Sequence, residues 1–110
     1  MVDPDVRVVL VTAPDEESAA TLCRTLVDER LIACGNIVRG VRSIYRWQGR
    51  VQDESEVLLV LKTVRGNVSS LLERIPLLHP YDVPEVLVLR VESGHGAYME
   101  WVARQSGSDG

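Results

Sequence analysis

The chain has 110 residues, room for one hydrophobic core and not for two. With 45% hydrophobic residues, 25% charged residues and a net charge of −4, it has ordinary globular composition. It lacks the basic balance that nucleic-acid binding needs, and its longest aliphatic run, Val57 to Leu61, is far short of the ~20 residues of a membrane span. Met1-Val2-Asp3-Pro4-Asp5 carries no basic-then-apolar leader, so a cytoplasmic protein is expected. Cys23 and Cys34 are too few for a disulfide framework and suit a reducing compartment as free thiols.

Val6 to Thr12 reads as a first strand, stopped at Pro14. Asp15 then caps a helix, with Glu16 and Glu17 in the first turn, where the helix dipole favours negative charge. Ala19, Leu22, Cys23, Leu26 and Val27 fall on one helical face, which makes Cys23 a core thiol. Ala33 to Trp47 and Val51 to Thr63 read as two long strands joined by a hairpin turn at Gln48-Gly49. Gly66-Asn67 opens a second helix with the apolar face Val68, Leu71, Leu72 and Ile75, ended by Pro76. Pro84 precedes a fourth strand, Glu85 to Val91. After a turn bracketed by Gly94 and Gly96, Tyr98, Trp101 and Val102 give a short last helix one buried face. Ser106 to Gly110 reads as a fraying polar tail.

The order βαββαβ plus a helix predicts one α+β domain over 1–110, with a structured core of about 6–105. The plan is a ferredoxin-like sandwich, with both main helices on one face of an antiparallel sheet. The second face should then be polar and the strands should alternate. Instead, Val8 to Val11, Val57 to Leu61 and Val86 to Leu89 are continuous apolar runs, as in strands buried on both sides. No spare element is large enough to cover the second face, unless the loops and the last helix suffice. A strand of about 13 residues also spans ~43 Å, more than a compact domain of this size accommodates, so the hairpin tip should project. Both features predict an oligomer.

Several side chains have the chemistry of a site. Cys34, His79 and His95 suit copper or zinc, but no two share a helical turn or a CxxC-type spacing. A packed thiol and a hydrogen-bonded loop imidazole are the commoner fates of such residues. Glu54, Glu56 and Lys62 share a strand face with Leu58 and Val60. There Lys62 could act as a base, although lysines so placed more often pair with a carboxylate. Arg39, Arg42, Arg46 and Arg50 along the projecting strand fit protection of an edge better than capture of an anion. Tyr45, Trp47, Tyr98 and Trp101 lie where a partner is expected, and Tyr45 and Trp47 are the predicted interface anchors. No phosphate loop, nucleophile elbow or catalytic triad can be read from spacing, so no catalytic residue is assigned and no enzyme is expected.

Longer stretches of the chain resemble one family. Val8-Val9-Leu10-Val11-Thr12-Ala13-Pro14 resembles the opening strand of the CutA divalent-cation tolerance proteins. Cys34-Gly35-Asn36-Ile37, Ser43 to Gly49, Glu56 and Lys62-Thr63 resemble its central hairpin. His79-Pro80-Tyr81-Asp82-Val83-Pro84-Glu85 resembles its most recognisable block, and Tyr98 to Trp101 its closing helix. The likeness runs in order over residues 6 to 104. It implies a ferredoxin-like fold in a homotrimer of PII-like plan, with long hairpins pairing between subunits. It also implies a role in tolerance to copper and other divalent ions, with no required cofactor and no enzymatic activity. The metal candidates are Cys34, Glu56 and His79. Some members carry a cysteine where this chain has Val11, and a histidine pair where it has Leu78-His79, so the copper role transfers unevenly. By analogy of fold alone, a small anionic ligand in the clefts between subunits is the alternative, with Lys62, Tyr81, Glu85 and Trp101 as its candidates.

Overall fold

The computed structural model describes residues 4–107; the expected leader-free start at Met1 to Asp3 and the last three residues of the expected tail lie outside them. The elements follow in the order β1 (Val6–Ala13), α1 (Glu16–Asp28), β2 (Cys34–Trp47), β3 (Arg50–Val64), α2 (Val68–Leu78), β4 (Val86–Arg90) and α3 (Gly96–Gln105). A single 3-10 turn, Arg65–Asn67, leads into α2. The four strands form one antiparallel sheet in the order β2-β3-β1-β4, which is the expected sandwich plan.

Local chemistry sets the ends of these elements. Asp15 caps α1 by accepting the Ser18 N–H at 2.7 Å, and the carboxyl is held below its ordinary value by that bond. The hairpin turn puts both Gln48 (φ 53) and Gly49 (φ 77) in the left-handed region, as a tight two-residue turn between twisted strands requires. Pro76 does not end α2, which runs on to Leu78. Proline in the last turn removes only the bond to the Leu72 carbonyl, and the His79 N–H closes the helix on Ile75 at 2.9 Å. Asn67 does not cap α2 with its side chain. Its amide instead donates to the carbonyls of Arg30, Leu31 and Ser106. For that reason Ser106 is fully buried rather than frayed, and Arg30 Nε holds the Gly107 carbonyl at 2.8 Å.

Register assigns each strand residue to a face. Val9, Val11, Leu59, Leu61 and Val57 point toward α1 and α2 and are buried with Ala19, Leu22, Leu26, Leu71 and Ile75. Val27 and Leu72, expected on these buried faces, sit at the margins of their stripes and are exposed. The alternate residues Val8, Leu10, Leu58, Val60, Leu87 and Leu89 form the second face. Covering it is α3's task at one corner only, where Val102 packs on Val6 with Val64 and Val91 alongside. Tyr98, expected on the buried side of α3, is 41% exposed and stacks on Trp101. Away from that corner the second face is bare: Leu87 is 53% exposed, Leu89 46% and Val38 45%. Burial on both sides, which the apolar runs predict, is therefore not met within one chain.

The hairpin projects as expected. The molecule measures 51 × 25 × 22 Å with a radius of gyration of 14.7 Å, against about 13 Å for a compact domain of this length. A bulge interrupts β2: pairing steps from Val38↔Leu58 to Val41↔Glu56, an extra residue accommodated by Gly40 at φ 78. It moves the odd-numbered residues Val41, Ser43, Tyr45 and Trp47 onto the face that Asn36 and Val38 occupy nearer the core.

Candidate functional site

Where the projecting hairpin leaves the sheet, an open cleft of about 660 Å³ lies between it and the loop that joins α2 to β4. β1 supplies Thr12 at its end. The hairpin supplies Ser43, Ile44, Tyr45, Trp47 and Glu56, and the loop supplies Pro80, Tyr81, Asp82, Val83 and Glu85.

His79 holds the loop in place. It is 7% exposed, and both ring nitrogens are engaged. The Tyr81 backbone N–H donates to Nδ1 at 3.0 Å, and an amide can only donate, so Nδ1 must be the acceptor. The ring proton then sits on Nε2, which donates to the Thr12 carbonyl at 2.7 Å. The ring centroids of His79 and Tyr81 lie 4.8 Å apart. So placed, Tyr81 donates its hydroxyl to Glu56 Oε2 at 2.7 Å. Burial, followed by this bond to Glu56, raises the Tyr81 phenol well above its ordinary value and keeps the ring neutral. Tyr45 donates likewise to Glu54, and that bond raises its phenol too. Three carboxylates, Glu56, Asp82 and Glu85, line the cleft, and among the described residues no lysine, arginine or histidine does.

The remaining candidates sit elsewhere. Cys34 pairs with Lys62 across the β2–β3 ladder, six residues from Glu56, or about 20 Å along the strand. There Cys34 Sγ lies 3.5 Å from the Tyr98 hydroxyl, a contact that raises the Tyr98 phenol to about 12. Trp101 stacks on Tyr98 with ring centroids 5.7 Å apart, and Lys62 Nζ donates to Asn36. The structure thus brings Glu56, Tyr81, Glu85, Tyr45 and Trp47 to the cleft, with His79 behind it, and leaves Cys34, Lys62 and Trp101 at the opposite end of the sheet. Cys34, Glu56 and His79 do not meet around one ion within a chain, and His79 has no free lone pair to give. Among the described residues no three metal-capable side chains converge. Within one chain the described residues form no thiol–imidazole centre.

Thr12, Ser43 and Asp82 belong to the cleft but were not candidates on sequence grounds. Ser43 could be placed only by knowing the bulge at Gly40. Asp82 was visible as part of the block from His79 to Glu85.

The family model described as CutA1 divalent ion tolerance protein matches residues 7–105. This chain belongs to the CutA family. The divalent-cation tolerance protein CutA of Thermus thermophilus is 48% identical over 100 residues, 91% of this chain and 97% of that protein. The solved Cut A1 structure from the same organism has a TM-score of 0.89 and covers 93% of this chain and 99% of its own. CutA1 from Oryza sativa, at 38% identity, has a TM-score of 0.92 and covers 96% and 97%. The chain spans about half the length of several other CutA relatives, 52% of the chloroplastic Arabidopsis thaliana protein. None of these names states an enzymatic activity. Among the described residues no helix is long and apolar enough to cross a membrane.

Proposed function

We propose that this chain acts in divalent-cation tolerance as a homotrimer that closes over the bare sheet face and offers acidic clefts to divalent ions. One observation carries the ion part: Glu56, Asp82 and Glu85 line a cleft to which no described residue brings a cationic side chain. Oxygen donors of this kind suit hard or borderline divalent cations, held weakly because the set does not enclose the ion. Glu56 would be the first contact, with one oxygen already engaged by Tyr81. The sign of the cleft's charge opposes the anionic-ligand alternative, whose lysine, Lys62, is bound to Asn36 at the far end.

Support for the assembly comes from the second face. Covering Leu87 and Leu89, each about half exposed, contributes on the order of 1 kcal/mol apiece, and Leu10, Leu58 and Val60 extend the same patch. Three copies is the number that the family resemblance implies. The protein then acts as a single-domain cytoplasmic module without a resident cofactor.

Calorimetric titration with Zn(II) and Cu(II) tests the ion part. Weak binding that Glu56→Gln removes and Cys34→Ser leaves intact is expected. Binding that depends on Cys34 and ignores Glu56, or no binding at all, would overturn it.

A further inference from the structure

The walls of the cleft carry a feature that a bare metal ion does not use. The chain has five aromatic residues, two Trp and three Tyr, and three of them, Tyr45, Trp47 and Tyr81, line this one cleft. Tyr81 and Tyr45 each donate a hydroxyl to a carboxylate, Glu56 and Glu54, and both phenols are raised. Their rings stay neutral, and a neutral ring carries a negative π face. Glu56, Asp82 and Glu85 line the same cleft, with Thr12 and Ser43 beside them. Ile44, Pro80 and Val83 add apolar surface between the polar groups.

We propose that this cleft is a site for small organic cations, specifically a flexible amine with two or more ammonium groups separated by methylenes. Aromatic faces beside carboxylates recognise an ammonium group by cation–π attraction and charge-assisted hydrogen bonds together. An ammonium offers three N–H donors and gains further from an aromatic face, whereas a hard divalent ion needs about six enclosing oxygens. The volume points the same way. About 660 Å³ falls within the range of roughly 300–1,000 Å³ typical of organic-ligand pockets and far exceeds the space one ion fills. Methylenes between the charges would lie on Ile44 and Val83. This site goes beyond the divalent-ion role: it shares the cleft but stands on the aromatic walls, which that role does not use.

The test uses the full chain with Trp101→Phe, so that Trp47 alone reports by fluorescence. Spermidine and putrescine are the probes, and Zn(II) and Mg(II) the comparators at matched ionic strength. Saturable spermidine binding is expected, weakened about tenfold by Glu56→Gln, as the loss of one charged hydrogen bond implies. Binding measured by calorimetry should weaken about threefold or more in Trp47→Leu while sedimentation returns the parent's mass, which separates loss of the aromatic wall from loss of the assembly that Trp47 is expected to anchor. Glu73→Gln, an exposed carboxylate on α2, should change nothing. Unsaturable binding, or equal weakening by Glu73→Gln, would show general charge attraction and overturn the proposal. Zn(II) binding without spermidine binding would overturn it and leave the divalent-ion role standing. Spermidine binding without Zn(II) binding would support it and remove that role, and binding of neither would overturn both.

Discussion

His79 is buried, and its two ring nitrogens tie the Thr12 carbonyl to the Tyr81 backbone, so its contribution reaches Glu56 only through Tyr81. His79→Ala should lower stability by roughly 1–3 kcal/mol through two lost hydrogen bonds and a cavity, measurable by urea unfolding. Asp15 provides a pH test at the same scale. Its carboxyl is held below the ordinary value of 3.8 by the Ser18 bond, so its stabilisation is present above that value and is lost as pH falls through the lowered folded value. Asp15→Ala should therefore melt earlier than the parent at neutral pH, with the gap closing in strong acid. A gap that persists unchanged at the lowest pH would contradict the cap. The residue types in the block from His79 to Glu85 were readable in order. The roles were not, because an imidazole that ligates and one that ties a loop look identical until its two partners are known.

The elements were legible where one physical rule governs them. Period-3.6 spacing placed α1, and the glycine of Gln48-Gly49 placed the turn, since it takes a positive φ at no steric cost. The positive φ of Gln48 was not readable from its type. Rules in competition were harder. Pro76 reads as a stop, yet in a last turn it costs one hydrogen bond while Ile75 gains full burial. The bulge at Gly40 was invisible, because one glycine inside a strand fixes neither its φ nor its partner's register. Gly35 is different. A Cβ there would stand 2.7 Å from Cys23 Sγ and 2.8 Å from a Leu61 methyl, so α1 packs against β2 only because that side chain is absent. Gly35→Ala should destabilise by roughly 1–3 kcal/mol in chemical denaturation. In a double-mutant cycle, Cys23→Ala should recover part of that loss, because it removes one of the two clashes. Strictly additive losses would contradict the contact.

For the whole molecule, the continuous apolar runs were the most informative sequence feature. They predicted strands covered on both sides, and the chain covers one side and a corner of the other. The proposed self-association would cover that bare face and so reconcile the pattern with single-chain burial. A carboxylate on the bare face tests this without touching the core, since Leu87 is half exposed on β4. Leu87→Asp should fold with the parent's far-ultraviolet spectrum and sediment as a single chain. The parent itself decides the matter. Sedimentation equilibrium at micromolar concentration should return three times the chain mass of 12.2 kDa; a mass of one chain across the whole concentration range would contradict the assembly.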